Sequence, residues 1–585
     1  MKALKHLNKY FFKYRYKLLL GIFITVVAKI FALFTPRLIG MSINVVSDRL
    51  QGNITEAVFK QELILNILYV IGAAILAGGF TFLMRQTIIN VSRYIEYDLK
   101  NEIYEHYQKL SLNFYKSNRT GDLMNRITED VSKVREFAGP AIMYSINTVT
   151  LFVVALIYMI QQSPELTVYT VLPLPVLSIL IYKISQVINR RSRVVQESLS
   201  TLSTFTQERF SGISVIKSYG IEPLTNHKFE VLAEENRAKQ ISLSKIQALF
   251  FPLMILIIGL SNVIVAYVGG LLYIQGEIPQ IGTIAEFLIY VNMLTWPVAV
   301  IGWVTNLVQQ AEASQKRINE FLEQEPQIKN TVQQLSEIKG AIEFREVSYT
   351  YPDTNIQALK SLSFKIAKGK TLAILGKTGA GKSTILDLIG RLYDVDQGTI
   401  LIDDTPITEL NLYSLREAIG YVPQDAFLFS DTIKTNIKFG DEHASDEDVV
   451  KAAKNAKVHK NIKGFKDGYK TVLGERGITL SGGQKQRISI ARAIIKEPQI
   501  LLFDDCLSAV DTETEEQILK NLNKLSSDRT TVIVSHRVSS AKNADQIIVL
   551  ENGEILQSGT HESLINTEGY YKDLYMKQLS EKELS

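Results

Sequence analysis

Apolar positions are spread unevenly along the chain. Long, nearly uncharged apolar stretches recur at 18–46, 63–89, 138–161, 166–187, 246–274 and 281–307. Each has at least the roughly 20 residues that a helix needs to cross the hydrocarbon of a bilayer. This pattern predicts six membrane-spanning helices. From about Gln327 onward the pattern changes to that of an ordinary soluble α/β protein, with short apolar runs broken by glycine-rich turns. The predicted division is a helical membrane domain over 1–323, a linker over 324–340 and an α/β domain over 341–585.

Between spans two and three, and again between spans four and five, lie about 50 to 60 residues of polar, helix-favouring sequence such as SRYIEYDLKNEIYEHYQKL and NRRSRVVQESLSTLSTFTQERF. Helices of that length carry the spans far beyond the bilayer at about 1.5 Å per residue. Two breaks are predicted, in FYKSNRTGD around Gly121 and in SYGIEPL around Gly220 and Pro223.

Charge sets the orientation. Lys2, Lys5, Lys9, Lys13, Arg15 and Lys17 precede the first span, and Arg93, Lys100, Lys109, Lys116, Arg119 and Arg126 follow the second. The connections QQSPE and QGEIPQ carry no basic residue, so both ends of the chain are expected in the cytoplasm. The first span is too long for a cleaved leader. The stretch KALKHLNKYFFKYRYK alternates lysines with aromatics, as in a helix lying against anionic lipid, with a solvated basic tail as the alternative. Lys29 and Arg37 in the first span and Glu286 in the sixth are charges inside the spans and therefore candidates for substrate contact, or for helix contacts.

The 585 residues average to a mean hydropathy of +0.07, which mixes two unlike halves. A formal charge of +4 gives no sign of a nucleic-acid partner. The lone Cys506 excludes an intramolecular disulfide and a cysteine-rich zinc site, and reads as a small buried space filler.

The second half carries the chemistry. In TLAILGKTGAGKSTILDLIGRL an apolar strand runs through a glycine-rich turn into a helix, with GxxxxGKS at 376–383. Such a match arises by chance in a chain this long on the order of one time in a hundred. Backbone amides of Gly376, Thr378, Gly379, Ala380, Gly381 and Thr384 are candidates to wrap phosphates. Lys382 neutralises the outer phosphates and Ser383 supplies a magnesium ligand.

A second apolar strand, ILLFDD, stops at two adjacent acids. Like charges this close call for a cation, so Asp504 is read as the second magnesium-holding residue and Asp505 as the group that orients the attacking water. ATP and Mg2+ are thus the expected cofactors. Between these elements Ser481, Gly482, Gly483 and Gln484 open a helix whose N-terminus reads as a further bare phosphate site.

LSGGQKQR at 480–487, with the preceding motifs, resembles the ATP-binding cassette family, and the resemblance covers the whole chain. It implies an exporter half-transporter of the multidrug and lipid-flippase type, resident in a membrane of the bacterial inner-membrane type with its cassette in the cytoplasm. On matching positions it further implies that Tyr351 stacks on adenine, that Gln424 touches magnesium and that His536 contacts the terminal phosphate. GERG at 474–477 matches the exporter-specific loop, and SAVD at 508–511, ending in Asp511, matches the segment across a dimer interface.

Most relatives of that type have glutamate where this chain has Asp505. Aspartate is one methylene shorter, and a misplacement of about 1 Å can cost about a hundredfold in rate. The expected partner is therefore a second half-transporter, in a heterodimer by preference and a homodimer otherwise. The substrate is expected to be hydrophobic or lipid-like. An ATP-binding regulatory or channel-like subunit with weak hydrolysis is the alternative function.

Overall fold

The computed structural model describes residues 2–474, 477, 480–508, 510–525 and 528–583. The chain separates into two units, one of Met1–Gln108 with Gly121–Gln324 and the other of Lys109–Thr120 with Glu325–Ser585.

The first unit is helical. Five described helical runs are long and apolar enough to cross a membrane: Arg15–Leu50, Glu56–Lys109, Thr120–Gln162, Glu222–Ile274 and Gly282–Leu322. The fourth expected span, 166–187, falls on Pro164–Val171 and Pro173–Ser211, which meet at Leu172. Pro173 has no N–H to continue the helical hydrogen bonding, so one apolar run is divided between a short helix of 8 residues and a long one of 39. Ser163 starts the first of them by accepting the Leu166 amide at 3.3 Å.

Helices of 54 and 53 residues, Glu56–Lys109 and Glu222–Ile274, are each about 80 Å long, well beyond the thickness of the hydrocarbon. The second break is at Gly220, which takes a left-handed φ of +64°. The first is displaced from its expected centre: the helix lapses at Asn118, while Gly121 itself lies inside Thr120–Asn125.

Two of the alternatives left open by the sequence are narrowed. The basic N-terminal stretch is not a solvated tail. It folds as a turn of 3-10 helix, Ala3–Leu7, and a helix, Asn8–Lys13, burying Leu4, Leu7 and Tyr10. Lys9 reaches Glu102 at 2.5 Å and Lys13 reaches Asp98 at 2.7 Å, so these lysines meet carboxylates of Glu56–Lys109. Glu286 does not face open space. It is buried, with the Tyr290 hydroxyl bridging its Oε1 at 2.9 Å and the Leu33 carbonyl at 3.2 Å, in the contact between Arg15–Leu50 and Gly282–Leu322. Lys29 and Arg37 are half-buried on Arg15–Leu50. These two helices meet where Gly40 and Gly282 remove both side chains. A Cβ on Gly282 would stand 2.0 Å from the Gly40 carbonyl oxygen.

The second unit has two sheets built from ten strands: β1 Ile342–Tyr351, β2 Ile356–Ile366, β3 Thr371–Gly376, β4 Gln397–Ile402, β5 Thr405–Pro406, β6 Ile419–Val422, β7 Ile500–Asp504, β8 Thr530–Val534, β9 Gln546–Glu551 and β10 Glu554–Gly559. An antiparallel sheet has the order β2-β1-β4-β5, and a second sheet the order β10-β9-β3-β8-β7-β6. In the second, β9, β3, β8, β7 and β6 run parallel. All residues of β7 and β8 are buried, as expected of parallel strands covered on both faces. Cys506 is buried in the adjoining apolar core, in the space-filling place its sequence context suggested.

Candidate functional site

Strand order assembles the site. In a parallel sheet, loops leaving the carboxyl ends of neighbouring strands gather at one edge. Here β3 leads into the glycine-rich turn, β8 into Ser535 and His536, β7 ends on Asp504, and β6 is followed by Gln424. Register aligns these ends: Ile374 and Asp504 both sit opposite Val534, and Phe503 opposite Val422. Residues separated by up to 160 positions in sequence are thereby brought to one rim.

The turn itself is shaped to receive anions. Lys377, Thr378 and Gly379 are exposed and Ala380 is buried. Gly381 takes φ +96°, with the Ala358 carbonyl oxygen only 2.4 Å from where a Cβ would lie, so no other residue fits there without displacement. It starts the helix Lys382–Ile389 without any side-chain cap, leaving the first amides of that helix free. The Lys382 ammonium folds back to donate to the Gly376 and Lys377 carbonyls at 3.0 and 2.8 Å. Burial pushes its pKa down, opposed by the charges of Asp505 and Asp504.

Ser383 Oγ donates to Asp504 Oδ1 at 2.9 Å. Burial pushes the Asp504 pKa up, the Ser383 hydrogen bond opposes the shift and the neighbouring Asp505 adds to it. Adjacent ligands of an octahedral magnesium with 2.0–2.1 Å bonds are about 2.9 Å apart, so this pair fits two neighbouring positions of such an ion. No group of three or more His, Cys, Asp or Glu suited to a metal occurs among the described residues.

Asp505 is half-buried, with a left-handed φ of +41°. Its amide donates to the Val534 carbonyl at 3.0 Å, which ties it to β8. Aspartate is among the few non-glycine residues enriched in that conformation. Tyr351, at the end of β1, is brought to the phosphate-binding helix, with its hydroxyl 3.0 Å from Thr384 Oγ1 and its ring edge-on to Tyr349 and Tyr393.

Two neighbours of Tyr351 were not singled out by the sequence. Lys116, on the short helix Leu112–Ser117, stands 4.7 Å from the Tyr351 ring centre. Asp387, one helical turn beyond Ser383, is pushed up to about 6 by burial, with Lys116 opposing and Asp504 adding to the shift.

The N-terminus of Gly482–Ile495 differs from expectation. It is not bare: Ser481 Oγ accepts the Gln484 amide at 3.3 Å, and Gln484 Oε1 accepts the Ser481 amide at 3.0 Å, forming a capping box. Gly482 and Gly483 are left with their amides at the helix start. Gln424 is exposed, and its carbonyl accepts from Gln486 at 3.4 Å. Asp511 is exposed and caps Thr512–Leu525 by accepting the Thr514 amide at 2.9 Å, a bond that heads the causes holding its pKa down. Of GERG, Glu475 and Arg476 lie outside the described residues.

Comparison with known proteins bears on this geometry. The pattern of the ABC transporter transmembrane region matches residues 18–298, and that of the ABC transporter matches residues 359–508. The chain belongs to the ABC transporter family.

The multidrug resistance-like ATP-binding protein MdlA of Escherichia coli strain K12 is 34% identical over 587 residues, 100% of this chain and 98% of its own. The probable multidrug resistance ABC transporter ATP-binding/permease protein YheI of Bacillus subtilis strain 168 is 35% identical over 581 residues, 98% of this chain and 97% of its own. A solved structure of a bacterial Atm1-family ABC exporter with ATP bound matches with a TM-score of 0.79 at 26% identity, covering 96% of this chain and 98% of that one. This ABC exporter therefore carries one helical membrane domain and one α/β cassette on a single polypeptide. It is a multi-pass membrane protein with a cytoplasmic ATP-binding domain, and an ATPase coupled to transport.

Proposed function

We propose that two half-transporters act together to move a hydrophobic or amphipathic molecule out of the cytoplasm or the inner leaflet, driven by magnesium-bound ATP. The observation that carries this reading is the convergence of Lys382, Ser383 and Asp504 at one rim of a cassette joined to helices that span a membrane.

On this reading backbone amides of Gly376, Thr378, Gly379, Ala380, Gly381 and Thr384 hold the phosphates, with Lys382 neutralising their outer charge. Ser383, Asp504 and Gln424 hold magnesium, which when bound offsets the negative charge of the phosphates. Tyr351 supplies a stacking face for adenine. Ser481, Gly482, Gly483, Gln484 and the segment ending in Asp511 close over the nucleotide of the partner chain. His536 contacts the terminal phosphate and Asp505 orients water. The multidrug names of MdlA and YheI, and the Ile-, Leu- and Phe-rich spans, support a drug-like or lipid-like substrate.

Asp505 supports a heterodimer in which this chain's own site turns over slowly while its signature helix completes a competent site on a partner with glutamate. The test is ATP hydrolysis by the purified chain alone, before and after Asp505→Glu. The expected result is slow turnover that rises by about tenfold to a hundredfold on substitution. Rapid turnover of the unaltered chain would support a homodimer instead, and silence in both would point to a missing partner or a non-hydrolytic subunit.

A further inference from the structure

Glu515 lies in the run TETEE, which in sequence reads as acids in the first turn of a helix. The structure separates its members: Glu513 is exposed, whereas Glu515 is 1% exposed. A carboxylate is costly to bury unless donors surround it. Here they come from Arg537 and the short helix Val538–Ala541 that follow β8. Arg537 Nη1 donates to Glu515 Oε2 at 3.0 Å, Ser539 Oγ donates to Oε1 at 3.2 Å, and Ser540 Oγ donates to the same oxygen.

The same guanidinium continues into the segment after β7. Its Nη2 donates to the Ser508 carbonyl at 3.0 Å and its Nη1 to the Val510 carbonyl at 3.2 Å. One arginine therefore fastens two carbonyls of the 508–511 segment and the carboxylate that follows them. Arg537 is also the residue next to His536. The His536 backbone is held from the other side by Gln578 of Tyr570–Glu583, whose Nε2 donates to the His536 carbonyl at 2.9 Å and whose Oε1 accepts the Val538 amide at 2.9 Å. Among the described residues, Arg537 joins the residue next to His536 to the 508–511 segment through its bonds to the Ser508 and Val510 carbonyls.

We infer that Arg537 and Glu515 are positioning residues that transmit the state of His536 to the 508–511 segment. The nucleotide bound by one chain would thereby set the loop that this chain presents to its partner's site. The inference rests on the proposed nucleotide site and dimer.

The test is hydrogen exchange of the full-length chain in membranes, with and without ATP and magnesium, for wild type, Arg537→Ala, Arg537→Lys and Glu515→Gln. In wild type, nucleotide is expected to slow exchange both at 376–384 and at 506–516. In Arg537→Ala the slowing at 376–384 persists while that at 506–516 falls about tenfold, the worth of a charge-assisted hydrogen bond. Arg537→Lys, which cannot fork to three acceptors, restores the response only in part. Glu515→Gln, which keeps an acceptor, restores most of it.

ATP turnover, measured with whichever partner supports it, should fall by a similar factor in Arg537→Ala, in Glu515→Ala and in the double variant. Non-additivity of that kind marks a single coupled unit. A merely structural arginine would lower stability and weaken the response at both segments together. An unchanged response at 506–516 in Arg537→Ala, or additive losses, would overturn the inference. Absence of slowing at 376–384 in wild type would overturn the nucleotide site, and the inference with it.

Discussion

At the scale of single residues, the parts readable in advance were those whose role is set by immediate neighbours. The turn at Gly381 and the helix start at Lys382 and Ser383 were legible because they are local: they depend on a backbone that only glycine allows and on side chains within one helical turn. Asp387, Lys116 and Arg537 were not, because each takes its meaning from groups distant in sequence. Asp387 faces Lys116, Tyr421 and Asp504, none of them within 30 residues. It also supplies a pH dependence. Its folded pKa of about 6 lies above the 3.8 of an ordinary aspartate, so the stability it contributes is complete below about pH 4 and is lost as pH rises through 6. Asp387→Asn stays neutral throughout. The melting temperature of the variant relative to wild type should therefore increase between pH 5 and pH 7.5, and a difference that does not change with pH would refute this reading.

At the scale of elements, periodicity and length located the helices, while proline and hydrogen bonding decided their ends. The run 166–187 is largely apolar, yet Pro173 divides it. The helix after Ser481 looked bare because its first two residues are glycines. Gln484, three residues past the cap, turns that end into a capping box, a pattern that was present in the sequence. The N-terminal stretch was open between a helix against lipid and a solvated tail. Glu102 and Asp98, some 85 to 93 positions away, hold its lysines and argue against the tail.

The contact of Arg15–Leu50 with Gly282–Leu322 offers a direct check on element packing. Gly282→Ala places a methyl group 2.0 Å from a backbone oxygen and should lower thermal stability by about 1–3 kcal/mol, the usual cost of overpacking. An unchanged melting profile would show that these helices do not meet as described.

At the scale of the whole molecule, the average composition concealed the organisation and the order of motifs revealed it. A mean hydropathy of +0.07 describes neither half, but six apolar runs followed by a phosphate-binding turn, a signature helix and an acid-ended strand describe a membrane ATPase. Family membership and coupling to transport follow from the comparisons over the full chain. Partner and substrate were less legible, because a second chain and a cargo act through surfaces whose recognition is not written in a local motif. Asp505 is the residue through which the partner question enters, since the proposed heterodimer rests on its shorter reach.

The central claim is that Lys382, Ser383 and Asp504 grip one magnesium-bound ATP per chain. It is tested most directly by equilibrium binding of labelled ATP to membranes containing the full chain, with magnesium and with a chelator, for wild type, Lys382→Ala and Asp504→Asn. Wild type should retain nucleotide in a magnesium-dependent manner. Lys382→Ala should lose retention under both conditions, and Asp504→Asn should retain ATP without responding to magnesium. Equal retention by all three proteins, indifferent to magnesium, would contradict the account.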